Sequence, residues 1–198
     1  VRNGLQAEWV GTTGLSRSGD LPLTLQDKDT WADTVQQRSL TVLDTDDAVD
    51  LQVVAATVGS RAALELTGPT ANSGVQGAPL RDPANAAGQA VSIEIWLRTG
   101  DLSEERIIWE TGGGTYGMSL TIGDGDVVGD DTPEQADRKD DLRFRLGGGG
   151  SKKTPTVTVD LPNDSSDRFV HVVAVYDGNN TLLYIDGDEA GRDASPTK

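Results

Sequence analysis

From Ala90 onward, apolar and polar residues alternate with a period of two. Val91, Ile93, Ile95 and Leu97 are interleaved with Ser92, Glu94, Trp96 and Arg98. Successive side chains of an extended strand leave opposite faces, so this spacing predicts a strand with one buried face. Ile107 and Trp109 alternate with Arg106, Ile108 and Glu110, which places the first pair on a common face. Tyr116, Met118, Leu120 and Ile122 predict a third strand, and Leu142, Phe144 and Leu146, opposed by Arg143 and Arg145, a fourth. Val157, Val159 and Leu161, opposed by Thr156, Thr158 and Asp160, predict a fifth. Phe169 to Tyr176 is apolar on both faces apart from His171, the pattern of a central strand covered on both sides. Leu182 to Ile185 is the next.

Turn chemistry separates these runs: Gly112-Gly113-Gly114, Gly123-Asp124-Gly125-Asp126, Gly147 to Gly150, Asp177-Gly178-Asn179-Asn180 and Asp186-Gly187. Asp186-Gly187 is the strongest hairpin signal, because a two-residue hairpin turn needs positive φ angles that Asp-Gly tolerates. The glycine run before Ser151 joins Leu142–Leu146 to Thr156–Leu161, which make sense as partners across it. Earlier in the chain, Leu5 to Val10, Leu40 to Leu43 and Ala62 to Leu66 read as strands, and Asp44 to Val58 is open between strand and short helix. Pro133 to Lys139 reads as one helical turn in a loop. Short strands with no long stretch of helical period predict an all-β, two-sheet antiparallel sandwich.

The length of 198 residues fits one such domain, taken as 1–198. No apolar run reaches the roughly 20 residues of a membrane span. Val1-Arg2-Asn3-Gly4 carries no leader-like apolar run, so the expectation is a removed leader or an excised piece. The formal charge is −15, with Asp outnumbering Glu 24 to 8. Such a surface repels phosphate backbones and excludes nucleic acid as a partner. The aspartates fit tight turns, calcium ligation or hydration in saline water, in that order. With no cysteine, disulfides and cysteine-based metal sites are ruled out.

Five segments together resemble laminin G-like jelly-roll domains of the concanavalin A-like superfamily, across roughly residues 60–192. They are Ala63-Leu64-Glu65-Leu66-Thr67-Gly68, Ser92-Ile93-Glu94-Ile95-Trp96-Leu97-Arg98, Thr115-Tyr116-Gly117-Met118-Ser119-Leu120, Arg168-Phe169-Val170-His171-Val172-Val173-Ala174-Val175-Tyr176-Asp177-Gly178 and Leu183-Tyr184-Ile185-Asp186-Gly187. The resemblance implies a jelly roll that recognises glycans or extracellular proteins, on a secreted or cell-surface protein. Phe169 stands where that family usually has tryptophan. The family's closing strand has no counterpart after Asp186-Gly187, so the expectation is a domain lacking its usual C-terminal strands, with an open sheet edge.

Catalysis is not expected. Glucanases of this fold carry Glu-x-Asp-x-x-Glu on one strand face, and no such string occurs; Glu105 and Glu110 fall on opposite sides of their strand. The single histidine, His171, reads as structural, and no Gly-x-Ser-x-Gly elbow exists. Calcium is the candidate cofactor. Asp124, Asp126, Asp130 and Asp131 share a glycine-loosened loop, and Asp177, Asn179 and Asn180 form a second oxygen-rich set that is also ordinary turn chemistry. For a glycan, Glu94, Trp96 and Arg98 share a strand face, joined by Arg143 and Arg145 if their strands are neighbours. The balance lies with the plainer alternative, in which Trp96 fills the core. The resulting expectation is a non-catalytic recognition or adhesion module for glycan or protein. The alternative is a structural subunit of a surface layer or fibre, self-associating through an open sheet edge and completed by a neighbouring chain.

Overall fold

Alternation becomes architecture when strands pair, because every strand N–H and C=O needs a hydrogen-bond partner. A computed structural model describes Ser16, Gly19 and residues 23–24, 29–32, 39–43, 50–55, 62–67, 74–77, 90–99, 106–111, 118–123, 141–146 and 155–194. Among the described residues every regular element is a β-strand. The chain divides into two compact units, Val1–Leu80 and Arg81–Lys198.

In the first unit, β1 (Leu23–Thr24), β4 (Asp50–Ala55) and β5 (Ala62–Thr67) form one antiparallel sheet, ordered β1-β4-β5. A second, ordered β2-β3-β6, contains β2 (Thr30–Ala32), β3 (Ser39–Leu43) and β6 (Gly74–Gly77). The ambiguous stretch after Asp44 therefore contains a strand. The expected strand from Leu5 to Val10 lies outside the described residues, as does the helical turn from Pro133 to Lys139.

The second unit is a two-sheet sandwich. One sheet, ordered β11-β10-β9-β8, contains β8 (Arg106–Thr111), β9 (Met118–Ile122), β10 (Asp141–Leu146) and β11 (Thr156–Asp160). The other, ordered β14-β13-β12-β7, contains β7 (Val91–Leu97), β12 (Val170–Tyr176), β13 (Thr181–Ile185) and β14 (Asp188–Asp193). All pairings are antiparallel. Met118, Leu120, Leu142, Phe144 and Leu146 from the first sheet meet Val170, Val172, Ala174 and Leu183 from the second, all of them buried. The half-buried row Val91, Ile93, Ile95 and Leu97 packs against the same core. This is the jelly-roll sandwich that the alternation implies.

Three details depart from the sequence reading. A register shift between Ile107 and Trp109 turns Ile107 outward, 59% exposed, and packs Ile108 beside Trp109 against the core. One extra residue in a strand reverses the face of everything beyond it. Second, β12 is not covered on both sides: Val170, Val172, Ala174 and Tyr176 are buried, while His171, Val173 and Val175 are half-buried on the other face. Third, a strand does follow Asp186-Gly187. Asp186 at φ 53° and Gly187 at φ 96° form the expected turn, and β14 pairs with β13 beyond it. Its sequence, Asp-Glu-Ala-Gly-Arg-Asp, has no apolar rhythm because it is a largely exposed edge strand, where charge discourages further pairing. Gly191 lies against β11: a Cβ there would sit 2.6 Å from Val159 Cγ1 and 2.9 Å from Val157 Cγ1.

Candidate functional site

The outward face of the β14-β13-β12-β7 sheet carries the candidate site. Because Ile93, Ile95 and Leu97 pack inward, Glu94, Trp96 and Arg98 are turned out and exposed. Trp96 is 49% exposed, so it does not fill the core. Pairing of β7 with β12 sets His171 directly across from Trp96 and Val173 across from Glu94. Cross-strand neighbours on one face stand close enough for their side chains to pack. The indole and imidazole rings stack with centroids 4.6 Å apart and planes 29° from parallel. The His171 Nε2 lies 2.9 Å from Glu94 Oε1 and, when it carries hydrogen, donates to that carboxylate. One histidine thus braces both the ring and the acid.

At the same end of the sheet, the Arg98 guanidinium carbon sits 5.5 Å from the centre of the Phe169 ring, a cation–π placement. Phe169 immediately precedes β12 and ends the segment 161–169, which crosses from one sheet to the other. Thr99 N–H donates to Ser165 O at 3.0 Å, and the two hydroxyls are 3.0 Å apart, fixing this segment to the end of β7. Arg168 bridges two acids, Asp164 at 2.7 Å and Asp186 at 2.9 Å. Asp186 in turn clasps His171: its N–H donates to His171 O at 2.8 Å and its Oδ1 accepts from His171 N–H at 3.0 Å. These contacts lower the Asp186 pKa, through the His171 N–H first and Arg168 after it, and raise that of Arg168, chiefly through Asp164.

Arg143 and Arg145 do not join this constellation. They lie on β10, in the other sheet, where Leu142, Phe144 and Leu146 take the inward positions. The outward faces of a two-sheet sandwich point in opposite directions, so the expected neighbourhood of β7 and β10 is not realised.

Of the calcium candidates, Asp124, Asp126, Asp130 and Asp131 lie outside the described residues. Asp177 sits in the turn after β12 and uses both carboxylate oxygens there. Oδ1 accepts from the N–H groups of Asn179 at 2.8 Å and Asn180 at 2.7 Å, and Oδ2 from Asn180 Nδ2 at 2.8 Å. The Asn180 side chain and those two N–H groups hold its pKa below the usual carboxylate value. Among the described residues no group of three or more acidic or histidine side chains gathers around a common point.

Missing from the sequence reading was His171, treated there as a structural residue. The signal was present in the strand pattern: on a strand whose Val170, Val172 and Ala174 go inward, His171 must go outward.

The fold and this face define a two-sheet β-sandwich with an exposed, braced aromatic ring on one sheet. Residues 72–198 match the family described as the concanavalin A-like lectin/glucanases superfamily, and the chain belongs to it. Comparison with curated proteins and with solved structures gave no match.

Proposed function

We propose that the chain is a non-catalytic recognition module that binds carbohydrate on the outward face of the β14-β13-β12-β7 sheet. The observation that carries this reading is Trp96, half exposed and held upright by its 4.6 Å stack on His171. An apolar ring beside fixed hydrogen-bonding groups suits a pyranose, which offers an apolar C–H face and a rim of hydroxyls. Glu94 accepts hydroxyl hydrogens, and Arg98 donates to hydroxyl or carboxylate oxygens.

The superfamily spans lectins and glucanases, and the geometry favours the binding side. Hydrolysis needs two carboxyl groups about 5–5.5 Å or about 6.5–9.5 Å apart across the scissile bond. Around Glu94, the same-face neighbours are Ser92 and Trp96 along the strand and Val173 across it, and its carboxylate is engaged by His171. Among the described residues no helix is long and apolar enough to cross a membrane. A secreted or surface location fits the kind of domain. Strand β14 pairs with β13 and is itself an exposed edge strand, the feature on which the alternative reading of a self-associating structural subunit rests.

A test is retention on a panel of immobilised polysaccharides, followed by Trp96→Ala. Retention that falls at least tenfold in Trp96→Ala, with unchanged melting, supports the reading. Undiminished retention, or none on any polysaccharide, refutes it.

A further inference from the structure

Resting on that reading, we propose that this site selects acidic sugars, with the ring on Trp96 and a ligand carboxylate on Arg98. The charges on β7 are ordered. Glu94, Trp96 and Arg98 follow at two-residue steps, so acid and base stand on either side of the ring, about 6.6–6.8 Å of strand away in each direction. Glu94 already holds a partner in His171 at 2.9 Å. Arg98 is different. Arg168 and Arg192, at the same sheet, each pair with carboxylates, at 2.7 and 2.9 Å for Arg168 and at 2.8 Å for Arg192. Among the described residues no carboxylate lies within ion-pair distance of Arg98, which rests on the Phe169 ring instead. In a chain with 32 acidic and 17 basic residues, an exposed arginine held in place without an acid is a cation kept for something else.

A guanidinium lying on an aromatic ring keeps its N–H edge free, and that edge matches the two oxygens of a carboxylate. Glu94 repels an anion from the opposite end, so a uronic acid has one favoured orientation: acid group toward Arg98, hydroxyls toward Glu94. A neutral sugar stacks equally well but leaves Arg98 facing only water or a hydroxyl. The selectivity therefore resides in Arg98, and the affinity common to both classes in Trp96.

The test uses uronate polysaccharides (polygalacturonate, polyglucuronate and alginate), each beside its carboxyl-reduced, neutral counterpart, with the full chain by titration calorimetry. At about 0.15 M salt, where the repulsion between a polyuronate and the net charge of −15 is screened beyond about 8 Å, at least one acidic member should bind about tenfold more tightly than its neutral partner. Arg98→Gln should erase the preference with melting unchanged, weakening acidic binding far more than neutral binding; Arg98→Lys should retain part of the preference. Trp96→Ala should weaken both members. An equal or inverted preference in every pair, or a preference that survives Arg98→Gln, overturns the inference. If neutral glycans bind through Trp96 without acid selectivity, only this inference falls; if no glycan binds, the carbohydrate reading falls with it.

Discussion

Gly191 offers a sharp test of how the two sheets meet. Replacing it with alanine places a methyl group 2.6 Å from Val159 Cγ1 and 2.9 Å from Val157 Cγ1. Both distances lie well inside the roughly 3.5–4.0 Å optimum for carbon pairs. Neither valine yields easily, because β-branching stiffens χ1. Overpacking of this kind costs about 1–3 kcal/mol. Since β14 is an edge strand that can lift slightly, about 2 kcal/mol is expected, a fall in Tm of roughly 6–12 °C for a domain of this size. Val159→Ala relieves the closer contact, so the double variant should lose less than the sum of the single losses, by about 1 kcal/mol. Gly187→Ala is the control: at φ 96° with nothing within 4 Å of its Cβ, it should cost about 1–2 kcal/mol through backbone strain alone. Val159→Ala should not rescue it. Urea and thermal unfolding of the wild type and the five variants measure all of this. Wild-type melting of Gly191→Ala, or strictly additive losses with Val159→Ala, would refute the packing argument.

Acid should destabilise the fold in a defined window. Asp177, Asp186 and Glu189 have lowered folded-state pKa values, the first through Asn180, the second through the His171 N–H and the third through Arg192. Their stabilisation is complete above the unfolded values near pH 4 and is lost as pH falls through the lower folded ones. The gap in urea midpoint between wild type and Asp186→Asn should therefore shrink from pH 6 to pH 3, and a constant gap would count against the Asp186 clasp. His171→Ala should weaken Trp96-dependent glycan binding several-fold and alter near-ultraviolet dichroism, whereas His171→Phe should restore the stack without the Glu94 bond; identical behaviour of all three proteins would remove the bracing role. Calcium at a hundredfold excess over its Kd should add about 2.7 kcal/mol of stability if the Asp124–Asp131 loop binds it. A midpoint equal in calcium and chelator, or a shift that persists after Asp124→Ala and Asp126→Ala, argues against that loop.

The readable part of the fold was the part that repels water on one side only. Strands β7 and β9 to β13 announced themselves because burial against a facing sheet imposes a two-residue rhythm. In β8 a bulge broke that rhythm, and an alternation drawn through Ile107 and Trp109 could not register it. Strand β14 was invisible, because an exposed edge needs hydrogen bonds and one glycine at a close approach, neither of which leaves an apolar trace. At the site, Glu94, Trp96 and Arg98 were readable as a face, but which face looked outward was not. Their distance from Arg143 and Arg145 depended on strand order, and the role of His171 on cross-strand register. Both are set by tertiary pairing that one sequence does not encode locally.

Strand order also has a temporal consequence. Strands β12, β13 and β14 are consecutive and joined by tight turns, so they can assemble from contacts near in sequence. Strand β7, which brings Trp96, is recruited from more than seventy residues upstream of His171, across the entire opposing sheet. Closing so long a loop is slow relative to forming hairpins. The Trp96 ring is therefore expected to reach its His171 brace among the last events of folding, which makes their stacking a reporter of finished, rather than merely collapsed, molecules.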